Sequence, residues 1–221
     1  RAITLTEWLD ASILDELDPS KKDSALDLYD PDNPNGPPYS SEFVARYRQA
    51  QIARSAKIDA FVWDKLEAMK REGRPNEEFA FVVHGTIADP RWLDLSIDAN
   101  DRKGPNWCFM GEPRIVNMMP AGLARYTSLR AWLSQWSYKH SRADGPKCAG
   151  DVTVPVLVVE NSADDGCTPS HAARIMAGIK HSDKEFHVVN GATHYYIGQP
   201  EKMAEAVEIV KGWLEKKNLL V

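Results

Sequence analysis

Two aspartates and a histidine stand at matching places behind two apolar runs. Pro155-Val156-Leu157-Val158-Val159 leads into Glu160-Asn161-Ser162-Ala163-Asp164-Asp165-Gly166-Cys167-Thr168-Pro169, and Glu185 to Val189 leads through Asn190 into Gly191-Ala192-Thr193-His194-Tyr195-Tyr196. Each run reads as a buried strand, so an acid follows one strand and an imidazole follows the next. Parallel strands gather such loops at one sheet edge, where the two side chains would face each other. An imidazole so placed takes the proton of a nucleophile, while the carboxylate holds its tautomer and stabilises the imidazolium. These are two members of a hydrolytic triad. The third is missing, because no Gly-x-Ser-x-Gly elbow occurs between Arg1 and Val221.

Which aspartate orients His194 depends on the end of the loop from which one counts. From the strand Val156 to Val159 the acid falls on Asp164; back from Thr168-Pro169 it falls on Asp165. Small Ala163 just before it favours Asp164. Ser128, Ser134, Ser137 and Ser141 lie in or beside a helical patch and lack the strained turn that exposes a nucleophilic hydroxyl. Cys167 sits beside carboxylates that disfavour a thiolate, and reads as a packing residue. His171, His181 and His187 show no metal-ligand spacing, so neither metal nor cofactor is expected. His84-Gly85 reads as a strand end rather than an oxyanion loop, since no elbow follows it.

The elements that must position these residues are partly legible. Thr6 to Leu17 has helical apolar spacing with Thr6 as a cap, and Tyr29 to Pro38 is a proline-rich loop. Ser40 or Ser41 to about Gly73 predicts one long helix or two with a bend. Phe79 to Val83 reads as a strand buried on both faces. Thr86 to Gly150 is an excursion with one helical patch from Leu123 to Trp136. Val154 to Val159, Ser170 to Ile179 and Glu185 to Val189 predict strand, helix and strand. Glu201 to Lys216 closes the chain as an amphipathic helix with Met203, Val207, Val210 and Leu214 on one side. Alternation of this kind implies parallel strands with right-handed crossovers. Three strands make a sheet with an unpaired edge, which asks for further strands.

Composition narrows the partners. A net charge of -5 offers neither nucleic acid nor an anionic membrane a basic face. No apolar run reaches the length of a membrane span, and no secretory signal opens the chain. Cys108, Cys148 and Cys167 make a disulfide framework unexpected and favour a reduced, cytoplasmic setting, although localisation is otherwise unmarked. Arg1 in place of a start methionine points to processing, to design of the expressed segment or to a chain break.

Pro155 to Pro169 and Gly191 to His194, followed by an amphipathic helix, resemble the last two strands, acid loop and histidine loop of the α/β-hydrolase superfamily. The resemblance is specific over about residues 150 to 216 and topological before that. It implies an α/β fold in which residues 1–78 are lid and helix, 79–85 a core strand, 86–150 an inserted cap, and 151–221 the C-terminal core. It also implies that the first five strands, the oxyanion hole and the nucleophile belong to a complementary N-terminal chain or segment. The expected activity is hydrolysis of an ester, amide or related acyl bond, with a small apolar or aromatic acyl substrate. Trp107, Trp132, Trp136 and Met118 in the cap, and Tyr195 beside His194, are the candidate pocket walls. An acyltransferase on the same fold, or a non-catalytic ligand-binding subunit, would use the same residues.

Overall fold

The structure is a computed structural model that describes residues 5–220, a mixed α/β chain with two small sheets. Helix α1 (Ser41–Arg71) is a single unbroken rod. Its start is set by Ser40, whose hydroxyl accepts from the Phe43 N–H at 3.2 Å, and its end by Lys70, Arg71 and Gly73 at φ +78°. The buried side of α1 mixes apolar Tyr47, Ile58, Val62 and Met69 with polar Gln51, Arg54 and Asp59. Asp59 accepts from the Trp132 indole and the Ser137 hydroxyl, and the other two reach loop backbone. Gln51 donates to the carbonyls of Leu9 (2.7 Å) and Ala88 (3.1 Å), and Arg54 to those of Asp10 (2.9 Å) and Gly85 (3.1 Å). The helix thereby anchors two irregular segments, supplying donors to buried carbonyls of both.

The N-terminal segment corrects the expectation of a helix over Thr6 to Leu17. Only Leu5–Trp8 is helical, as one 3-10 turn. The carboxylates of Asp10, Asp15 and Asp18 accept from the backbone N–H groups two residues on, at Ser12, Leu17 and Ser20. Such local bonds compete with the helical ladder, and here they win.

Strand β1 (Ala80–Val82) is likewise not the doubly buried core strand expected over 79–85. It pairs antiparallel with β2 (Tyr126–Ser128), and Phe79, Val82 and Tyr126 remain exposed. Between them run the 3-10 turn Pro90–Trp92 and the short helix α2 (Pro113–Val116). The helical patch expected over Leu123 to Trp136 is interrupted: β2 takes its start, and only α3 (Leu129–Ala131) and a π-helical turn (Trp132–Trp136) follow. Ala124 at φ 56° breaks the earlier part. The main core joins Trp8, Leu9, Ile58, Val62, Trp92 and Trp132 with neighbours from these segments.

After α4 (Gly145–Ala149), the C-terminal part follows the sequence expectation closely. Strand β3 (Val156–Asn161), helix α5 (Pro169–Gly178) and strand β4 (Lys184–Val189) form a β-α-β unit, and α6 (Pro200–Lys216) follows. The strands are parallel in register from Val156 against Lys184 to Asn161 against Val189. They form a sheet of two rather than a three-stranded parallel sheet, since β1 belongs to the other sheet. Every residue of β3 is only half-buried, and none of α6 is buried. Met203, Val207 and Val210 on α6 face outward.

Candidate active site

The carboxyl ends of β3 and β4 carry the two loops into contact. Ser162 N–H donates to the Val189 carbonyl at 3.1 Å, and Ala163 N–H to that of Ala192 at 3.0 Å, so the ladder continues past the strands. Gln199 then clasps the histidine loop, donating to the Gly191 carbonyl (2.7 Å) and accepting from Thr193 N–H (2.9 Å). Asn161 at the tip of β3 donates to the Thr193 carbonyl at 3.2 Å and accepts from the Tyr196 hydroxyl at 2.6 Å.

Within this frame Nδ1 of His194 lies 2.9 Å and 3.0 Å from the two carboxylate oxygens of Asp164. The backbone N–H groups of Gly166 and Cys167 both donate to Oδ1 of Asp164 at 2.7 Å, which holds the carboxylate in place. Asp164 is therefore the residue that meets the imidazole; Asp165 points its backbone carbonyl at the indole N–H of Trp92 (2.5 Å). The hydrogen bond to Asp164 raises the imidazole pKa above its ordinary value against the opposing effect of burial. Burial, and then the charge of Asp164, push the Asp165 carboxyl up to about 6. Among the described residues no hydrogen bond engages Nε2 of His194, so the proton-accepting edge is free.

Aromatic rings shape the rest of the imidazole's surroundings. Tyr195 stands edge-on to it with centroids 4.5 Å apart, and Phe109 lies on another side at 5.2 Å. Phe109 in turn packs on Trp8 and Trp92. Gly166 suits this crowding: a Cβ there would stand 3.1 Å from Phe109 and 3.2 Å from the His194 ring, and both rings would have to give way slightly. Of the expected pocket residues, Tyr195 is at the dyad. Trp132 is fully buried in the core, its N–H donating to Asp59 at 2.7 Å, and so offers no wall to a substrate. Trp136 packs half-buried against the same core. Trp107 is exposed with the Lys103 ammonium 3.6 Å from its ring centre, and Met118 is exposed after α2. Neither contacts the imidazole.

A buried ionic network that the sequence did not reveal holds the base of the acid loop. Thr168 N–H donates to Nδ1 of His171 at 3.0 Å, and Nε2 of the same ring lies 3.0 Å from Glu7 and 2.9 Å from Nη1 of Arg91. Arg91 bridges Asp89, Glu7 and the Thr168 hydroxyl, and Asp98 binds Thr168 and Ser170 at the start of α5. Burial alone would raise the Glu7 pKa, but the hydrogen bond from His171 and the charges of Arg91 and Arg174 hold it far below the carboxylate range. An open cleft of about 700 Å³ borders this network and includes neither His194 nor Asp164. Its guanidinium groups on Arg48, Arg91 and Arg174 are matched by carboxylates. Replacing Arg91 with Met is expected to leave Asp89 and Glu7 under-compensated and to lower unfolding free energy by about 3–5 kcal/mol. Urea unfolding followed by circular dichroism measures it; a midpoint unchanged from the parent would refute the account.

Comparison with protein-family models, with curated proteins and with solved structures finds no match to this chain.

Proposed function

We propose that this chain supplies the general base and its orienting acid to a hydrolase of ester, amide or related acyl bonds. The observation that carries the reading is the contact of His194 Nδ1 with both oxygens of Asp164, with Nε2 left free. In the proposed reaction a hydroxyl on a complementary polypeptide gives its proton to His194 Nε2 as its oxygen attacks the acyl carbon. The tetrahedral intermediate collapses as His194 returns that proton to the leaving group, leaving an acyl-enzyme. Water, deprotonated by the same nitrogen, then releases the acid and regenerates the hydroxyl. Asp164 stabilises the imidazolium at each stage without taking the proton.

Two features support a complementary segment. The six residues of β3 are half-exposed although Val156, Leu157, Val158 and Val159 are the residues of a doubly covered strand. The outward stripe of Met203, Val207 and Val210 borders an apolar groove with Tyr196, Leu214 and Leu220. These residues are already about half-buried, so covering each would contribute about 1 kcal/mol.

The reading is tested by isolating the chain with its native companion and treating the assembly with a fluorophosphonate. The expected result is a single modified serine in a Gly-x-Ser-x-Gly turn of the companion, with acyl-ester turnover lost in step. Recovery of this chain alone, unlabelled and inert toward aryl and alkyl esters, would overturn it.

A further inference from the structure

Cys167 is the one nucleophilic side chain beside the dyad that the proposed reaction does not use. One donor atom from each of Asp164, Cys167 and His194 lies within 4.8 Å of the other two. They are a carboxylate, a sulfur and an imidazole, the donor set of zinc and cobalt and not of magnesium or calcium, which take oxygen. The surroundings also favour a cation. Asp164 and Asp165 are adjacent and both buried, and among the described residues the imidazole of His194 is the sole basic side chain within ion-pair distance of either. Among the described residues no ion pair engages Asp165.

We propose that Asp164, Cys167 and His194 form a regulatory site for a thiophilic divalent cation of the zinc class, which switches the base off when it binds. Tetrahedral zinc holds neighbouring donors about 3.3–3.5 Å apart, so Nδ1 of His194 and the Asp164 carboxylate, now 2.9–3.0 Å from each other, must part slightly while the Cys167 sulfur, within 4.8 Å of both, draws in. Both ligands on the acid loop lie three residues apart on one turn, and Gly166 between them leaves room against the imidazole. On binding, the Cys167 thiol loses its proton to solvent and its sulfur bonds the metal. The imidazole binds through Nδ1, so its proton moves from Nδ1 to Nε2. An Nε2 that carries a proton cannot accept one from a hydroxyl. The site itself stands on the geometry of three side chains; its inhibitory consequence rests on the proposed role of His194.

Cobalt(II) alone, added to the full chain, tests the site. The expected result is one equivalent bound, a thiolate-to-cobalt charge-transfer band, and release of one proton per ion at neutral pH. Cys167→Ser should remove the band, and both it and His194→Ala should weaken binding at least tenfold. Cys167→Ala, checked for native circular dichroism, serves if the serine variant misfolds. Cys148→Ser, at an exposed cysteine, should bind as the parent does. No band, or a band that survives in both Cys167 variants, would overturn the site. In the native assembly zinc should block fluorophosphonate labelling reversibly with a chelator. Binding without that block would retain the metal site and refute the base role of His194.

Discussion

His194→Ala in the native assembly should lower kcat/KM by about 10⁴- to 10⁶-fold while leaving the assembly intact. The size follows from the role assigned to one nitrogen, since no other imidazole or carboxylate occupies its position. His181 and His187 lie on or next to β4, and His171 is locked in the ionic network by Thr168 and Glu7. The structural cost should be small, because the side chain is partly exposed and its hydrogen bonds among the described residues go to Asp164. Thermal unfolding separates the two effects: a melting point near that of the parent together with lost turnover supports the role. Activity within tenfold of the parent would refute it. The pH profile gives a second readout. Only neutral imidazole accepts a proton, so kcat/KM should rise with pH through a His194 value that Asp164 has raised above the ordinary one, then level off. That acid limb should vanish with His194.

The dyad was legible because its members follow directly on strands whose apolar runs mark their ends. Val156 to Asn161 and Lys184 to Val189 carry enough β-branched and apolar residues to define themselves, and Gly191 marks the turn between β4 and His194. Helix α1 was legible for a similar local reason, its limits written in Ser40 and Gly73. What escaped was decided by partners distant in sequence. Phe109 packs against His194 across 85 positions, and Glu7 meets His171 across 164. Nothing in the spacing around either residue announces the meeting. Phe79 to Val83 misled because an apolar run predicts a strand but not its partner, and β2 approaches from an antiparallel direction. The N-terminal segment misled in another way, since helical apolar spacing there was overruled by aspartates that bond their own backbone. The thiol of Cys167 is disfavoured as a thiolate, as its neighbours suggest, since burial and the charge of Asp164 push it up to about 12, but its closeness to both Asp164 and His194 is visible only in the fold.

The aspartate pair offers the sharper test of geometry, because sequence alone left both open and the structure separates them. Asp164→Asn should lower kcat/KM by about 10⁴-fold, whereas Asp165→Asn should stay within a few-fold of the parent. An asparagine at 164 can turn its amide N–H toward Nδ1, which makes that nitrogen an acceptor and moves the ring proton to Nε2. The base is then occupied although every heavy atom keeps its place. The acid limb should also shift to lower pH, since the hydrogen bond that raises the His194 pKa is lost. At 165 the carboxylate makes no contact with the ring, and its backbone carbonyl, which accepts from Trp92, survives the substitution. Removing its charge should move the acid limb down only slightly, because Asp165 is the weakest of the influences that raise the imidazole pKa. Proton NMR of the chain reads the tautomer without any substrate. A downfield Nδ1–H resonance should be present in the parent and in Asp165→Asn and absent in Asp164→Asn. Equal losses in the two variants would mean that the acid loop acts as a block of negative charge, and the directed bond from Asp164 would no longer explain the site.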